Sequence, residues 1–350
     1  MKLIHTADLH LGARTETKLS PRRAEERRAE LLATFADIAA LAEREGAAVL
    51  VAGDLFDTAA PSRRTLAGFL DTVRDHPTVR FLCLPGNHDG GQFPEVALPE
   101  NLFLFGKEWA RVTLGDTDIY GIAPEGDIPY DALTPDPARR NVVLLHGAVR
   151  EGGTPEPGAV VLSRLAGRGI DYLALGHYHS HRVGKLDSRG VFAYSGTPEG
   201  RGMDETGECG VLLIDTALSP VAPVFLPTAR RCIHAIPVDA SAGDLRTATE
   251  AAVAGIPASD LVRIELVGGL SPDAPRPDLA RLAAAFENRF YYFEIKDRTT
   301  LAISPEDFLG SLNLKGEFVR QVMASPLSDG EKTAILRAGL AALRGEEDEI

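Results

Sequence analysis

Between residue 1 and about residue 215 the chain repeats one pattern, a short unbroken apolar run that ends in a cluster of Gly, Asp, His or Asn. It recurs in AAVLVAGD (47–54), VRFLCLPGNHD (79–89), NVVLLHG (141–147) and DYLALGHYH (171–179). Runs without polar alternation predict strands buried on both faces, with each polar cluster at a strand's carboxyl end. Between the early runs the period changes. Leu31, Phe35, Ile38 and Ala42 keep helical spacing, as do Leu66, Phe69, Leu70 and Val73 after Pro61 and Ser62, so both stretches predict helices with one buried face. This is the order of βαβ units, and open α/β sheets carry their sites at such strand ends. RVTLGDTDIYGI (111–122) and HRVGKLDSRGVFAY (181–194) read as hairpins turned at Gly-Asp and Ser-Arg-Gly.

The rhythm changes at SPVAPVFLPT (219–228), whose three prolines predict a boundary, so a first domain is expected over 1–222. Beyond it RCIHAIPV, a helix near 241–254, DLVRIELVG, a helix near 277–289 and FYYFEIKD make a small β-α-β-α-β cap over 223–303. It lacks the polar strand-end clusters, which suits a binding appendage better than chemistry. Residues 304–350 read as a C-terminal helical segment. Ser304 is its expected N-cap with Pro305 at the first helical position, SDGE (328–331) a capping box and EEDE a frayed tail. Leu336, Leu340 and Leu343 form a stripe on the last helix, for its own domain or for a partner.

Composition narrows the class. The 350 residues are 44 % hydrophobic and 25 % charged, as in soluble globular proteins. The N-terminal MKLIHTADLHLG is broken by His5 and Asp8, so neither a signal peptide nor a membrane span is expected and the protein is read as cytoplasmic. Cys83, Cys209 and Cys232 are far apart and odd in number, which argues against a disulfide framework and a thiolate zinc site. A net charge of −13 argues against a wholly basic nucleic-acid surface and leaves room for a local groove. Arg27 and Arg28, beside Glu25, Glu26 and Glu30, read as a solvated helix face; Arg63, Arg64, Arg139 and Arg140 are open to either reading.

The strand-end clusters hold Asp8 and His10; Asp54 and Asp57; Asn87, His88 and Asp89; His146; and His177 and His179. Five of the nine histidines lie here, so the clusters are one constellation rather than scattered turns. Imidazoles, carboxylates and an amide without thiolates suit Mn²⁺, Fe²⁺ or Zn²⁺. The donors are too many for one ion, and a pair about 3.5–4 Å apart, bridged by a carboxylate, would use them.

The blocks DLH, GDLFD, GNHD, HG and GHYH, in this order across the first 200 residues, resemble the five signature blocks of the calcineurin-like metallophosphoesterases. IHTADLHLG, GNHD, GHYH and YSGTPEGRGMDETGECG (194–210) further resemble the SbcD/YhaO-type DNA repair nucleases. The resemblance implies an α/β fold: a β-sandwich flanked by helices, with the small α/β cap and C-terminal helices appended. It implies one metal on Asp8, His10 and His179, a second on Asn87, His146 and His177, and Asp54 between them, the ions being Mn²⁺. His88 would act as general acid, and Asp57 would orient it. Asp89 is expected to hold the turn. In the EGRG loop, Arg201 is a candidate phosphate partner, with a solvated turn as the equal alternative.

His5 is expected in the core, His76 and His234 in structural or exposed positions, and His181 as a bystander despite continuing the spacing of His177 and His179. Tyr178, between two ligands, should point into the core if strand alternation holds. The activity implied is phosphodiester hydrolysis of DNA by a homodimer, through the Leu66–Val73 helix region, together with an SbcC-like or YhaN-like coiled-coil ATPase. Two other readings stay open: a phosphoesterase acting on a small nucleotide or cyclic nucleotide, which the acidic charge favours, and a non-catalytic scaffold regulating an ATPase.

Overall fold

The structure, a computed structural model, describes residues 1–14, 18–90, 93–150, 158–241, 243–270, 277–302 and 311–343. Chain contacts divide it into two units, Met1–Ile233 and His234–Ile350. The first unit runs β1 (Lys2–Thr6), α1 (Pro21–Glu45), β2 (Ala48–Ala52), α2 (Arg63–Asp75), β3 (Phe81–Leu84) and β4 (Leu102–Leu104). There follow β5 (Ala110–Leu114), β6 (Thr117–Gly121), β7 (Arg140–His146), β8 (Val149–Arg150), β9 (Val160–Val161), β10 (Tyr172–Gly176), β11 (Arg182–Lys185), β12 (Val191–Tyr194), β13 (Gly210–Asp215) and β14 (Val224–Pro227).

Two six-stranded sheets result, ordered β14-β13-β1-β2-β3-β4 and β11-β12-β10-β7-β6-β5. Both expected hairpins form, β5 with β6 and β11 with β12. The unbroken apolar runs are central strands buried on both faces, as predicted. Leu3, Leu50, Leu82 and Leu212 of the first sheet meet Val142, Leu144, Tyr172 and Ala174 of the second in one apolar layer. On the outer face of the first sheet, Ile4, Val49 and Val51 pack under Leu31, Phe35 and Ile38 of α1 and Phe69 and Val73 of α2. Each such side chain contributes roughly 1.5–3 kcal/mol on burial. The sequence expectation of a sandwich flanked by helices is therefore met. The α2 stripe is spent on the core, so it is not a free dimer face.

The helix ends follow local chemistry. Ser20 accepts from the Arg23 amide at the start of α1, with Pro21 in the first turn, and Gly46 ends it at φ 61°. Ser62 caps α2 through the Thr65 amide at 3.1 Å.

Three expectations change. β14 pairs antiparallel with β13, so the first unit continues past residue 222. β14 is the edge strand, where a proline's missing amide costs no ladder bond. The C-terminal helices fall into the second unit rather than forming a third. Arg27 is not solvated: it is 1 % exposed, bonded to Glu199 at 2.9 Å and to the Gly200 carbonyl at 2.5 Å. Arg28 does pair with Glu25 at the surface, as expected. Arg139 and Arg140 are held by Asp118 and Asp171.

The second unit has the β-α-β-α-β order expected. Strands Ile233–Asp239, Leu261–Val267 and Tyr292–Asp297 make one sheet, with helices Leu245–Ala252 and Leu279–Phe286 contributing to its apolar core. Helices Leu314–Ala324 and Asp329–Ala342 pair through Val319, Val322, Leu336 and Leu340, so two of the three stripe leucines serve their own domain. The Ser328–Glu331 capping box forms in both directions, at 2.9 and 3.4 Å. Ser304, Pro305 and the acidic tail lie outside the described residues. Among the described residues no helix is long and apolar enough to cross a membrane. Among the described residues the three cysteines form no disulfide.

His76 bonds Glu43 and His234 bonds Asp260, both structural contacts as expected. His5 is fully buried on β1, its Nδ1 2.8 Å from the Tyr172 hydroxyl, and burial pushes its pKa down to about 3. A neutral imidazole in the fold and a protonated one in the unfolded chain make stability fall as pH drops below the unfolded value. The loss is roughly 1.4 kcal/mol per pH unit between about 6.5 and 3. Urea titrations at pH 6, 5 and 4 should show His5→Gln losing stability less steeply than wild type; equal slopes would refute the assignment.

Candidate metal centre

The parallel registers bring five strand ends level. Thr6 pairs with Val51, Ala52 with Leu84, and His146 with Gly176. Just past these ends the loops are tied together. Asp8 N donates to the Gly53 carbonyl at 3.0 Å and His10 N to the Asp54 carbonyl at 2.9 Å. His177 N donates to Asp8 at 3.0 Å, and His88 N to Asp54 Oδ1 at 2.8 Å. Asp89 is buried and accepts from the amides of Leu55, Phe56 and Gly86, so it binds the GDLFD and GNHD loops to one another. This is the turn-holding role expected, extended to a second loop.

Backbone strain is concentrated here. Among the described residues, those other than glycine with positive φ are Asp8 (53°), His10 (44°), Asp54 (50°) and His177 (106°). Such conformations cost about 1–3 kcal/mol each and persist where their surroundings over-determine them. Two glycines make the approach possible. A Cβ on Gly86 would lie 2.2 Å from Asp54 Oδ1, and one on Gly53 would lie 2.1 Å from His146 Nδ1. Either methyl would displace a proposed ligand.

The expected residues do converge. Donor atoms of Asp8, His10 and His179 lie within 4.8 Å of one another, as do those of Asp8, Asp54 and His146. Asn87 Oδ1 is 2.9 Å from His146 Nε2, and the His177 ring centre is 5.5 Å from that of His146. Asp54 Oδ2 stands between His146 Nε2 at 3.3 Å and His10 Nε2 at 3.8 Å, the place a bridging carboxylate needs. Asp8 also reaches both groups.

Tautomers follow from the partners. The Ala52 carbonyl, 2.9 Å from His146 Nδ1, can accept and never donate, so the proton sits on Nδ1 and Nε2 faces Asn87 and Asp54. His179 Nδ1 lies 2.7 Å from Glu205 and donates to it in the same way, which turns Nε2 toward Asp8 and His10.

The electrostatics are those of a cation site. Burial opposes charge on His146, yet the Asp54 carboxylate outweighs it and raises the pKa to about 9. Burial likewise opposes charge on Asp54, and His146 overcomes it, leaving a pKa of about 2. For Asp8 burial wins and pushes the carboxyl up. Burial lowers His10, whose Nε2 is buried and without a hydrogen-bond partner among the described residues. An orphaned imidazole nitrogen aimed at carboxylates fits a divalent ion, which would supply the positive charge that the site otherwise draws from protons.

Asp57 lies beside His88, as expected, and beside His10 as well. Its Oδ1 lies 3.3 Å from His10 Nδ1, and a His88 nitrogen is within 4.8 Å of both. Asp57 thus faces both His10, an expected metal ligand, and His88, the expected general acid. Arg201, the candidate phosphate partner, is engaged by carboxylates. Its amide donates to Glu205 at 2.5 Å, its guanidinium to Glu205 at 2.6 Å, and Asp57 is 3.4 Å away. The EGRG loop is also no solvated turn, because Glu199 is buried against Arg27 and Thr34.

Glu205 was not among the candidates, although it is buried, contacts His179 and has a pKa of about 2, burial being outweighed by His179 and Arg201. Its acidic type in a Gly-rich loop, six residues after Glu199, was the available signal. Tyr178 is 42 % exposed and stacks edge-on to Tyr194, not into the core. β10 ends at Gly176 and His177 has positive φ, so strand alternation no longer applies. His181 stacks on Phe225 with ring centres 4.5 Å apart. His181→Ala should therefore leave metal content after dialysis unchanged, and loss of an ion would make it a ligand.

A family model described as calcineurin-like phosphoesterase matches residues 1–181. The chain is 28 % identical over 218 residues to the DNA double-strand break repair protein Mre11 of Sulfolobus acidocaldarius, covering 57 % of this chain and 55 % of that protein. It is 27 % identical over 218 residues to the Mre11 of Saccharolobus solfataricus, with the same coverage. The uncharacterized metallophosphoesterase YhaO of Bacillus subtilis is 28 % identical over 204 residues, 51 % of this chain and 47 % of that protein. The chain spans about half the length of these relatives.

Proposed function

The chain belongs to the calcineurin-like phosphoesterase family, and from that premise we propose that it is a two-metal phosphodiesterase that cuts the DNA backbone in repair. The observation that carries this reading is the convergence of Asp8, His10, Asp54, Asn87, His146, His177 and His179 at strand ends of both sheets. The DNA substrate is supported by the repair proteins among its relatives.

Asp8, His10 and His179 would hold one ion and Asn87, His146 and His177 the other, with Asp54 between them. Bound divalent ions, Mn²⁺ in this proposal, would acidify a water and neutralise charge on the phosphoryl oxygens. His88 stands at the exposed edge of the centre, its ring edge-on to His10 at 4.7 Å and its amide held by Asp54. From there it donates a proton to the leaving oxygen. Asp57, whose Oδ1 is 3.3 Å from His10 Nδ1, adds negative charge beside His10 and orients His88. Arg201 keeps Asp57 and Glu205 in place.

A homodimer, a coiled-coil ATPase partner and a cytoplasmic location belong to the same proposal and rest on the SbcD/YhaO resemblance. Any partner contact on the C-terminal helices would use their exposed Leu314, Met323, Ile335 or Leu343, since Leu336 and Leu340 are buried. The charge of −13 favours a second reading, hydrolysis of a small nucleotide. Linear single- and double-stranded DNA and a chromogenic phosphodiester, each incubated with Mn²⁺, separate the two. Cleavage of DNA supports the first. Hydrolysis of the small ester with DNA intact supports the second, and neither reaction with any divalent ion overturns both.

A further inference from the structure

A cavity of about 460 Å³ opens beside Asn87, His146 and His177. Besides those three residues and the exposed Arg150, the side chains lining it are apolar, Ile122, Pro124, Ile128, Leu145, Ala148 and Ala159 among them. Ile122 and Leu145 are themselves buried, so this surface belongs to the packed face of the second sheet. The volume lies in the range of small-ligand sites.

The position of the polar end constrains the occupant. A phosphate placed at the metal centre has its ester arms leading away from it, and the arm that enters this cavity leaves water for hydrocarbon. Against the apolar side chains a second phosphate or a bare sugar would lose hydration without recovering hydrogen bonds, and Arg150 is the charged lining residue that could offset this for a phosphate. A flat aromatic ring gains from contact of its faces with the same walls. In a nucleotide that part is the base. A base that enters such a cavity leaves its stack and its pairing partner.

We propose that this cavity receives the nucleobase of the nucleotide bearing the reacting phosphate. The proposal rests on the phosphoesterase reading for its orientation and holds for a DNA strand or a small nucleotide alike. The side chains named on the apolar wall carry no hydrogen-bonding group, so they accept any of the four bases.

Binding tests it without requiring turnover. Calorimetry on the Mn²⁺-loaded protein compares thymidine 5′-monophosphate with methyl phosphate, which shares the phosphate and lacks the base. The nucleotide should bind at least about tenfold tighter. Ala159→Leu, which fills the cavity, and Ile128→Ala, which removes wall, should each erase most of that preference while leaving methyl phosphate affinity unchanged. The four deoxynucleoside monophosphates should agree within a few-fold. Equal affinity of nucleotide and methyl phosphate for the wild type overturns the proposal, as does a preference that survives both variants. A base preference without hydrolysis of any phosphodiester supports the cavity and removes the phosphodiesterase reading instead.

Discussion

Replacing His88 by alanine should lower kcat by about 10²- to 10⁴-fold, the usual worth of a positioned general acid, while leaving metal content intact. Asp54→Asn should lose both. The distinction follows from where the two side chains stand. Asp54 Oδ2 lies between His146 Nε2 and His10 Nε2, at 3.3 and 3.8 Å, and the carboxylate is the negative charge that holds His146 protonated up to about 9. An amide there keeps the shape and removes the charge that two cations would share. His88 is instead exposed, grouped with His10 and Asp57 rather than with Asp8, Asp54 and His146. Activity and bound metal should be measured on the same dialysed samples. If His88→Ala sheds an ion, the residue is a ligand and its role as acid fails.

Glu205→Gln should weaken one ion by about 10- to 100-fold, the typical cost of losing a residue that orients a metal-binding histidine. Glu205 accepts from His179 Nδ1 at 2.7 Å and from Arg201 at 2.6 Å. The glutamine can still accept one of these bonds, but it leaves Arg201 with less counter-charge and His179 with a weaker claim on its Nδ1 proton. Mn²⁺ titration of the metal-free protein reads this directly. An affinity equal to wild type would sink the idea. Thermal melting of metal-free wild type and variant separates a loosened loop from a lost ligand: a positioning role predicts a much larger change in affinity than in midpoint.

Much of the centre was legible because its residues lie in short blocks, each within a few residues of a strand end whose apolar run is continuous. The clustering of Asp8, His10, Asp54, Asn87, His146 and His177 followed from the strand-end blocks, and their division between two ions came from the family resemblance. Arg27 was misread because its neighbours Glu25, Glu26 and Glu30 resemble a solvated face, whereas the partner that buries it, Glu199, is 172 residues away. Glu205 and Arg201 belong to a loop without periodicity, so nothing local says that it folds back on His179. Tyr178 was misplaced by a rule for strands applied one residue past a strand's end. Of the prolines near 219–228, Pro227 lies in an edge strand, where it costs little, and only the pairing with β13 distinguishes the stretch from a linker.

The strand ends that supply Asp8, Asp54 and Asn87 belong to one sheet, and those that supply His146 and His177 to the other. Ions held among them would be rivets through the sandwich. Their binding free energy would then count as adhesion between the layers, and chelation would loosen that seam at the same moment that it silenced the chemistry.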